Sequence, residues 1–275
     1  MGNWFVTGAS SGIGRGVVSA ALEAGNNVVA TARNTASLHD LEDSSSGNLL
    51  ILKLDVTDAI ARKSAVEEAE KRFGSIDVLV NNAGYGYRAA VEESDREQVD
   101  RLFETNFFGP AALMNLVLPG MRASHSGTIV NVTSMGAVRA AVGNAYYSAS
   151  KAALEMVSDG LRKESEHLGI RVMMVEPGAF RTRFYDSLVG SDRIISGYDQ
   201  SVGAMRIHPG DDIPHNQMGD PAKAGKVIVD VVSGDKLPER LVLGSDAHNV
   251  LVKEYERRLK ELEDSQVLSS STDFD

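Results

Sequence analysis

Short apolar runs rich in Val, Ile and Leu recur along the chain, separated by longer segments in which apolar residues follow a helical period. Most of the short runs lack a strict alternation of apolar and polar residues, which is typical of strands buried on both faces of a parallel sheet. The runs that predict strands are 3–6, 27–32, 49–54, 77–80, 128–133, 171–176 and 240–244.

The segments between these strands predict helices at about 12–24, 58–73, 95–122, 146–167 and 221–233. Alternating strands and helices, joined by right-handed crossovers, predict an α/β fold in which a doubly wound parallel sheet of about seven strands has helices on both faces. Ligands of such sheets bind at the carboxyl ends of the strands, so residues that follow strands are the first candidates for chemistry.

The segment 182–219 departs from this alternation because it contains no clear strand. Its large side chains, scattered among Gly, Pro and Asp, are Phe184, Tyr185, Met205, His208 and Met218. A long insertion at the ligand-binding edge of a sheet is usually a lid or a binding loop, although a tolerated surface insertion is the alternative. We expect a substrate lid.

The end of the chain has a different pattern. Residues 248–264 read as an amphipathic, charged helix, and 269–275 as a frayed tail. The predicted organisation is one domain over residues 1–245, followed by a C-terminal helix and a disordered tail over 246–275.

The amino-acid composition limits the kinds of partner that the protein is expected to bind. A chain of 275 residues that is 43% hydrophobic suits one large domain, and without cysteine it has neither disulfides nor thiolate metal ligands. A net charge of -10 argues against nucleic-acid binding and favours a small-molecule partner. No apolar run approaches the roughly 18 residues of a membrane span, and the N-terminus leaves no room for a signal peptide. We therefore expect a soluble, cytoplasmic protein that does not bind membranes.

A glycine-rich turn, "TGASSGIG" (7–14), follows the first predicted strand and opens the first helix. Gly8, Gly12 and Gly14 would let the backbone approach a pyrophosphate closely, and the helix N-terminus would supply amide donors. The spacing differs from the general G-x-G-x-x-G fingerprint, and a simple strand-to-helix turn is the alternative. Its position directly after the first strand favours a dinucleotide.

The end of the second strand, "ATARN", indicates which dinucleotide. Ala32 stands where a carboxylate would bind the ribose hydroxyls of NAD, and Arg33 follows it. A guanidinium can clamp a 2′-phosphate, so the sequence predicts NADP(H). In the alternative interpretation Arg33 points into solvent.

The stretch "AYYSASK" (145–151) contains two tyrosines and a lysine on one predicted helix. Tyr147 and Lys151 are four residues apart and share a face, whereas Tyr146 is rotated away. Thr133 and Ser134 end the preceding strand and would lie nearby. A tyrosine ionises near neutral pH only if its pKa falls by about 3 units. One nearby positive charge lowers the pKa this far only in a partly desolvated cleft.

Taken in order, several motifs resemble those of the short-chain dehydrogenase/reductase family over residues 3–244. They are "TGASSGIG", "NNAG" (81–84), Asn106 in "ETNFFG", Ser134, "YSASK" and "PGAFRT" (177–182). The resemblance implies a single Rossmann-like fold with the nicotinamide over a Ser-Tyr-Lys cluster. By that resemblance Tyr147 is the general acid/base, Lys151 lowers its pKa and holds the nicotinamide ribose, Ser134 binds the substrate oxygen, and Asn106 positions a water in a proton relay.

The resemblance also implies the cofactor-binding residues. These are Gly8, Ser10, Ser11, Gly12, Ile13, Gly14, Arg33, Asp55, Val56, Asn82, Ala83, Gly84, Tyr147, Lys151, Pro177, Gly178, Phe180 and Thr182. Asp55 and Val56 match an adenine-contacting pair, and the backbone near Phe180 and the hydroxyl of Thr182 would face the carboxamide. Phe180 replaces a more usual aliphatic residue. For Asn81 to Gly84, the alternative to cofactor binding is a chiefly structural role.

His208 and His215, with Asp211 and Asp212 between them, have no standard metal-ligand spacing, so no metal site is expected. The sequence thus predicts an NADP(H)-dependent oxidoreductase that interconverts a carbonyl and a secondary alcohol. A non-catalytic NADP(H) sensor and an enzyme of dehydration or epimerisation are the rival hypotheses. A homo-oligomer, either dimer or tetramer, is expected.

Overall fold

The computed structural model describes residues 2–42, 47–208 and 216–274. The strands, numbered along the chain, are β1 Asn3–Val6, β2 Asn27–Ala32, β3 Leu49–Lys53, β4 Val78–Asn81, β5 Tyr87–Arg88, β6 Gly127–Val132, β7 Ile170–Pro177, β8 Val189–Gly190 and β9 Arg240–Leu243. Within the described ranges, seven of them form one sheet in the order β3-β2-β1-β4-β6-β7-β9, with every pair parallel. The predicted doubly wound parallel sheet is confirmed.

The strand order reverses beside β1, which pairs with β2 on one side and β4 on the other. Crossovers leave the sheet in opposite directions at such a point, and a crevice opens outside the carboxyl ends of the two central strands. The glycine turn after β1 and the "NNAG" segment at the end of β4 meet at this crevice.

Helices cover both faces of the sheet. They are α1 Gly12–Glu23, α2 Ala59–Phe73, α3 Arg96–Phe103, α4 Gly109–Ser124, α5 Ala145–Ser165, α6 Pro221–Ser233, α7 Ser245–Asp264 and α8 Gln266–Ser270. Side chains alternate between the faces along each strand. In β1, Trp4 and Val6 join a core cluster with Ile228 of α6, whereas Phe5 joins a second cluster with Leu154 of α5.

The predicted helix 95–122 is not one regular helix. A π-helical turn, Glu104–Phe108, separates α3 from α4, and Asn106 lies within it. Such turns contain one extra residue and often lie at functional sites. A single turn is too short to give a periodic signal of its own, so the periodicity indicated the helix without the turn.

The insertion also differs from its prediction. Residues 189–190 form β8, which pairs in parallel with β5, and Phe180 forms an isolated bridge with Gly219. A strand of two residues is too short to produce an alternating pattern, so the expectation of no strand was wrong here. Residues 209–215 of the predicted lid lie outside the described ranges.

The C-terminal helix begins earlier than predicted, at Ser245, and a short helix, α8, lies between it and most of the predicted tail. In the described ranges, none of the helices combines the length and the apolar character needed to cross a membrane.

Candidate active site

The carboxyl end of β6 and the first turns of α5 bring Ser134 and Tyr147 together. The Ser134 side chain accepts a hydrogen bond from the Gly136 amide at 2.9 Å, which orients its hydroxyl. A Cβ placed on Gly136 would lie 3.2 Å from Ser134 Oγ and 3.5 Å from Tyr147 Cε1. The serine and the edge of the tyrosine ring therefore converge on one small space, as the sequence predicts.

Lys151 lies one helical turn after Tyr147, and its side chain is buried. Its Nζ donates a hydrogen bond to the Val132 carbonyl at 2.9 Å. Among the described residues it has no carboxylate partner. Burial lowers the pKa of Lys151 to about 8, so most of the molecules carry a charged ammonium at neutral pH.

The pKa of Tyr147 is displaced in the direction opposite to that expected from Lys151. Burial of the phenol raises this pKa to about 12, and a hydrogen bond with Ser134 offsets only part of the effect. The Lys151 ammonium is bonded to the Val132 carbonyl, and its charge is not among the causes of this shift. In the protein alone, Tyr147 is therefore a protonated phenol at neutral pH.

Asn106 is fully buried, and its side chain joins three parts of the site. Its amide donates to the Tyr85 carbonyl at 3.0 Å and to Ser150 Oγ at 3.1 Å, and its Oδ1 accepts from the Tyr85 amide at 3.1 Å. Ser150 donates in turn to the Tyr147 carbonyl at 2.7 Å. Asn106 thus braces α5 against the segment after β4, and its role in a proton relay stays a prediction.

The "NNAG" segment supports the glycine turn. Gly8 and Gly12 have φ of 64° and 59°, a conformation that favours glycine, and a Cβ on Gly8 would lie 2.8 Å from Ala83 Cα. The Asn82 amide donates to the Thr7 and Gly8 carbonyls at 3.0 and 3.1 Å. Asn82 therefore supports the glycine turn, and its contact with a cofactor stays a prediction.

The N-terminus of α1 differs from those of three other helices. Asp58, Asp95 and Asp220 cap α2, α3 and α6 with their side chains. Ser11, at the start of α1, makes no capping hydrogen bond within the described part of the chain, and no acidic residue occupies the first turn. The amide groups of Gly12, Ile13 and Gly14, together with the positive end of the helix dipole, suit the phosphates of a dinucleotide.

Arg33 lies at the other end of the crevice. It is exposed and makes no hydrogen bond or ion pair with any described residue. Burial acts to raise the pKa of the nearby Asp55, but hydrogen bonds from Thr57 and the charges of Arg33 and Arg62 lower it overall. Arg33 is therefore close to the predicted adenine pocket and has no carboxylate that neutralises it directly.

The segment 177–182 closes the crevice beside the glycine turn. A Cβ on Gly12 would lie 2.9 Å from Thr182 Cγ2. The Phe180 side chain is 8% exposed and belongs to the hydrophobic core, so only its backbone is available to a ligand. The Ala179 amide donates to Asp246 at 2.7 Å.

Asp246 is a positioning residue that sequence reasoning missed. It comes from the first turn of α7, 67 residues after the amide it binds. The sequence signal that could have indicated it is the "GSDA" helix start directly after the last strand.

The structure therefore brings Ser134, Tyr147, Lys151 and Asn106 together at the carboxyl edge of the sheet. No group of three or more His, Cys, Asp or Glu residues is arranged for a metal ion within the described ranges. Asp211, Asp212 and His215 lie outside those ranges.

Comparisons with known proteins agree with this geometry. A family model described as short chain dehydrogenase matches residues 3–191. Oxidoreductase BOA17 of Botryotinia fuckeliana is 34% identical over 249 residues, which are 89% of each chain. A crystal structure of a short-chain dehydrogenase from Streptomyces avermitilis matches with a TM-score of 0.92 and 40% identity over 99% of each chain. The closed form of a serine dehydrogenase complexed with NADP+ matches with a TM-score of 0.73 and 26% identity, over 88% of this chain and 94% of that one.

Proposed function

The chain belongs to the short-chain dehydrogenase/reductase family of oxidoreductases, and on that premise we propose that it is an NADP(H)-dependent enzyme that interconverts a carbonyl and a secondary alcohol. The observation that carries the proposal is the convergence of Ser134 and Tyr147 beside a buried, charged Lys151. A protein that only sensed NADP(H) would not need this proton-transfer cluster.

The crevice fits a dinucleotide along its length. The uncapped start of α1, with Ser10, Ser11 and the glycines, would hold the pyrophosphate, and Arg33 would bind the 2′-phosphate. Asp55 and Val56 would contact the adenine, and Asn82 to Gly84 would pass the ribose. The segment from Pro177 to Thr182 would face the carboxamide, with Pro177 and Gly178 supplying backbone. The nicotinamide supplies the hydride when it is bound.

The protein's own contribution is to orient the substrate and move one proton. Ser134 donates a hydrogen bond to the carbonyl oxygen, and Tyr147 gives its hydroxyl proton to that oxygen as negative charge develops there. Because burial raises the pKa of Tyr147 to about 12, the phenol is in the protonated form that reduction requires. Oxidation of an alcohol needs the phenolate, which the positive charges of Lys151 and an oxidised cofactor would favour.

Support for NADP(H) rather than NAD(H) comes from Arg33 and Ala32, and from the serine dehydrogenase neighbour, whose structure is a complex with NADP+. An Arg33→Asp substitution should reverse the preference, since a carboxylate repels the 2′-phosphate and binds the ribose hydroxyls of NADH. The measurement is the ratio of kcat/KM for NADPH and NADH. An unchanged ratio would show that Arg33 does not select the cofactor.

The experiment that tests the proposal is a panel of ketones incubated with NADPH while the absorbance of the reduced cofactor is followed. We expect oxidation of NADPH with at least one carbonyl class. A protein that binds NADPH but reduces none of the panel would instead support the sensor hypothesis.

Three further features belong to the same proposal. We infer one catalytic domain over residues 1–245 with a substrate lid at about 182–219, a homo-oligomeric state and a cytoplasmic location. Sedimentation of the purified protein tests the oligomeric state, and a monomer at micromolar concentration would contradict it.

A further inference from the structure

Arg88, in β5, is a half-buried arginine without a counterion among the residues that the structure describes. Its Nε is buried, and it has no hydrogen-bond partner among the described residues. Burial lowers the pKa of the Arg88 guanidinium, and the charge of Tyr185 acts to raise it. A buried polar group of this kind is costly to leave unpaired, so it calls for a functional explanation.

Two other partly buried arginines of the chain are paired. Arg206 is bonded to Glu93 at 2.5 Å, and Arg240 to Glu155 at 2.9 Å. In a protein with a net charge of -10, acidic partners are abundant. The lack of a carboxylate beside Arg88 within the described ranges is therefore a local property of this place.

The direction of the Arg88 side chain follows from its neighbours in the strand. Residues two apart in an extended segment point to the same side, so Arg88 shares a side with Gly86. A Cβ on Gly86 would lie 2.4 Å from Leu188 Cδ2 and 2.9 Å from Phe184 Cζ. Tyr87 points the other way, into a hydrophobic cluster with Leu102. Arg88 therefore faces the segment 184–188.

This segment connects Arg88 to the active site. The ring of Phe184 lies edge-on to Tyr147, with the centroids 5.8 Å apart, and to Tyr185, with the centroids 5.7 Å apart. Burial raises the pKa of Tyr185 and the charge of Arg88 lowers it, while Tyr185 in turn acts to raise the pKa of Tyr147. Tyr185 is thus within electrostatic range of both groups.

We propose that Arg88 is a specificity-determining residue that binds a carboxylate on the substrate while the carbonyl of the same molecule lies at Ser134 and Tyr147. The planar guanidinium offers parallel N–H donors that match a carboxylate, and desolvation strengthens the pairing. A single uncompensated cation suits a monoanion better than a phosphate dianion. This inference rests on the proposed function and names its substrate class, the oxo acids and their hydroxy acid products.

The test compares carbonyl compounds that differ only in charge. The probes are 4-acetylbenzoate and 4-oxopentanoate, each paired with its methyl ester and assayed with NADPH. We expect the wild-type protein to prefer each acid to its ester in kcat/KM, and Arg88→Met to lower kcat/KM for the acids by about 10- to 100-fold while leaving the esters unchanged. Arg88→Lys should recover part of the loss.

Arg122→Met is the matched control because Arg122 is an exposed arginine outside the proposed substrate lid. It removes the same charge from the protein, so an unchanged preference for the acids separates a specific contact from a general attraction. Thermal melting and NADPH titration of each variant exclude misfolding and loss of the cofactor site. An independent readout is the affinity of 4-(1-hydroxyethyl)benzoate for the NADP+-saturated protein, which should fall in Arg88→Met alone.

Equal use of acid and ester by the wild-type protein would overturn the inference, as would an equal loss on both in Arg88→Met. Either result leaves the proposed function standing, since NADPH is still oxidised. Failure of the wild-type protein to oxidise NADPH with any of the four compounds or with the wider carbonyl panel would overturn the proposed function, and the inference with it.

Discussion

The two halves of α5 differ in the partners of their buried charged side chains. In the first half, Lys151 is buried with a neutral carbonyl as its partner, beside a protonated Tyr147. One turn further, Glu155 is equally buried but bonded to Arg240 of β9 at 2.9 Å. The same helix therefore carries, within the described ranges, a cation without a carboxylate partner at the carboxyl edge of the sheet, and one turn later a carboxylate paired with an arginine.

Next to the active site, one arginine forms ion pairs with two buried carboxylates. Arg240 Nε is 2.9 Å from Glu155 Oε1 and 3.5 Å from Glu176 Oε1. Burial and the neighbouring Glu155 raise the pKa of Glu176 to about 8, although Arg240 acts to lower it. One cation and a shared proton thus keep this cluster close to neutral, and it links α5 to β7 and β9.

The difference in charge pairing distinguishes side chains that stabilise the fold from side chains that we expect to take part in catalysis. Compensated charges hold elements together, whereas uncompensated groups with displaced pKa values lower stability and are retained where a ligand will complete them. We infer that Tyr147 and Lys151 are completed by the bound cofactor. Changes to the first half of α5 should then affect catalysis, and changes to the cluster behind it should affect folding.

The largest expected effect is that of Tyr147→Phe. Loss of the proton donor should reduce kcat by about 10²- to 10⁴-fold, because general acid catalysis contributes this much. NADPH affinity, measured by fluorescence titration, should change little. Tyr146→Phe is the control: both tyrosines pack against the cluster of Tyr87 and Leu102, but it is Tyr147 whose phenol is hydrogen-bonded to Ser134. Similar losses in the two variants would remove the distinction between the two tyrosines.

The next effect concerns the cluster behind the site. Arg240→Met leaves two buried carboxylates without their cation and should lower the free energy of unfolding by about 2 to 4 kcal/mol, less than for a fully buried pair because Arg240 is partly exposed. Glu176 has a pKa near 8, so one carboxyl is neutral at pH 6 and the loss should be larger at pH 9.

Urea denaturation at both pH values measures this loss, and kcat of the folded variant should stay within a few-fold of the wild type. Arg96→Met, which removes an exposed pair with Asp100, is the control and should cost about 0.5 kcal/mol or less. If Arg240→Met abolished turnover without loss of stability, the assignment of the two halves would be reversed.

A smaller effect of opposite sign is expected at Lys151. The pKa is about 8 in the folded protein, below its ordinary value near 10.4, so the unfolded chain binds more protons between these values and stability rises with pH across this window. Below pH 8 the buried ammonium is destabilising. Lys151→Met should therefore raise the free energy of unfolding at pH 7 by about 1 to 3 kcal/mol while turnover is lost.

The gain should disappear near pH 11, where the lysine is neutral in both states. Lys163→Met, at an exposed position of the same helix, controls for the loss of one charge. A lower stability of Lys151→Met at pH 7 would mean that the ammonium is stabilised in the free protein after all.

The sheet and the main site residues could be predicted because their signals are local. Buried strands are continuous apolar runs, the glycine turn follows the first of them, and the spacing of Tyr147 and Lys151 places both on one helix face. The pairing of Arg240 with Glu155 and Glu176 could not be predicted from the sequence, because these residues come from three elements far apart in the chain. The direction of the Tyr147 pKa was missed for a similar reason, because it depends on desolvation by the whole fold.

The most direct test of the claim that the cofactor completes the site is the ionisation of Tyr147, followed by the phenolate absorbance of the wild-type protein minus that of Tyr147→Phe. In the free protein we predict a pKa of about 12. With saturating NADP+, the added positive charge should lower it clearly below that of the free protein. A pKa that stays near 12 with NADP+ bound, or one near 10 in the free protein, would contradict the account.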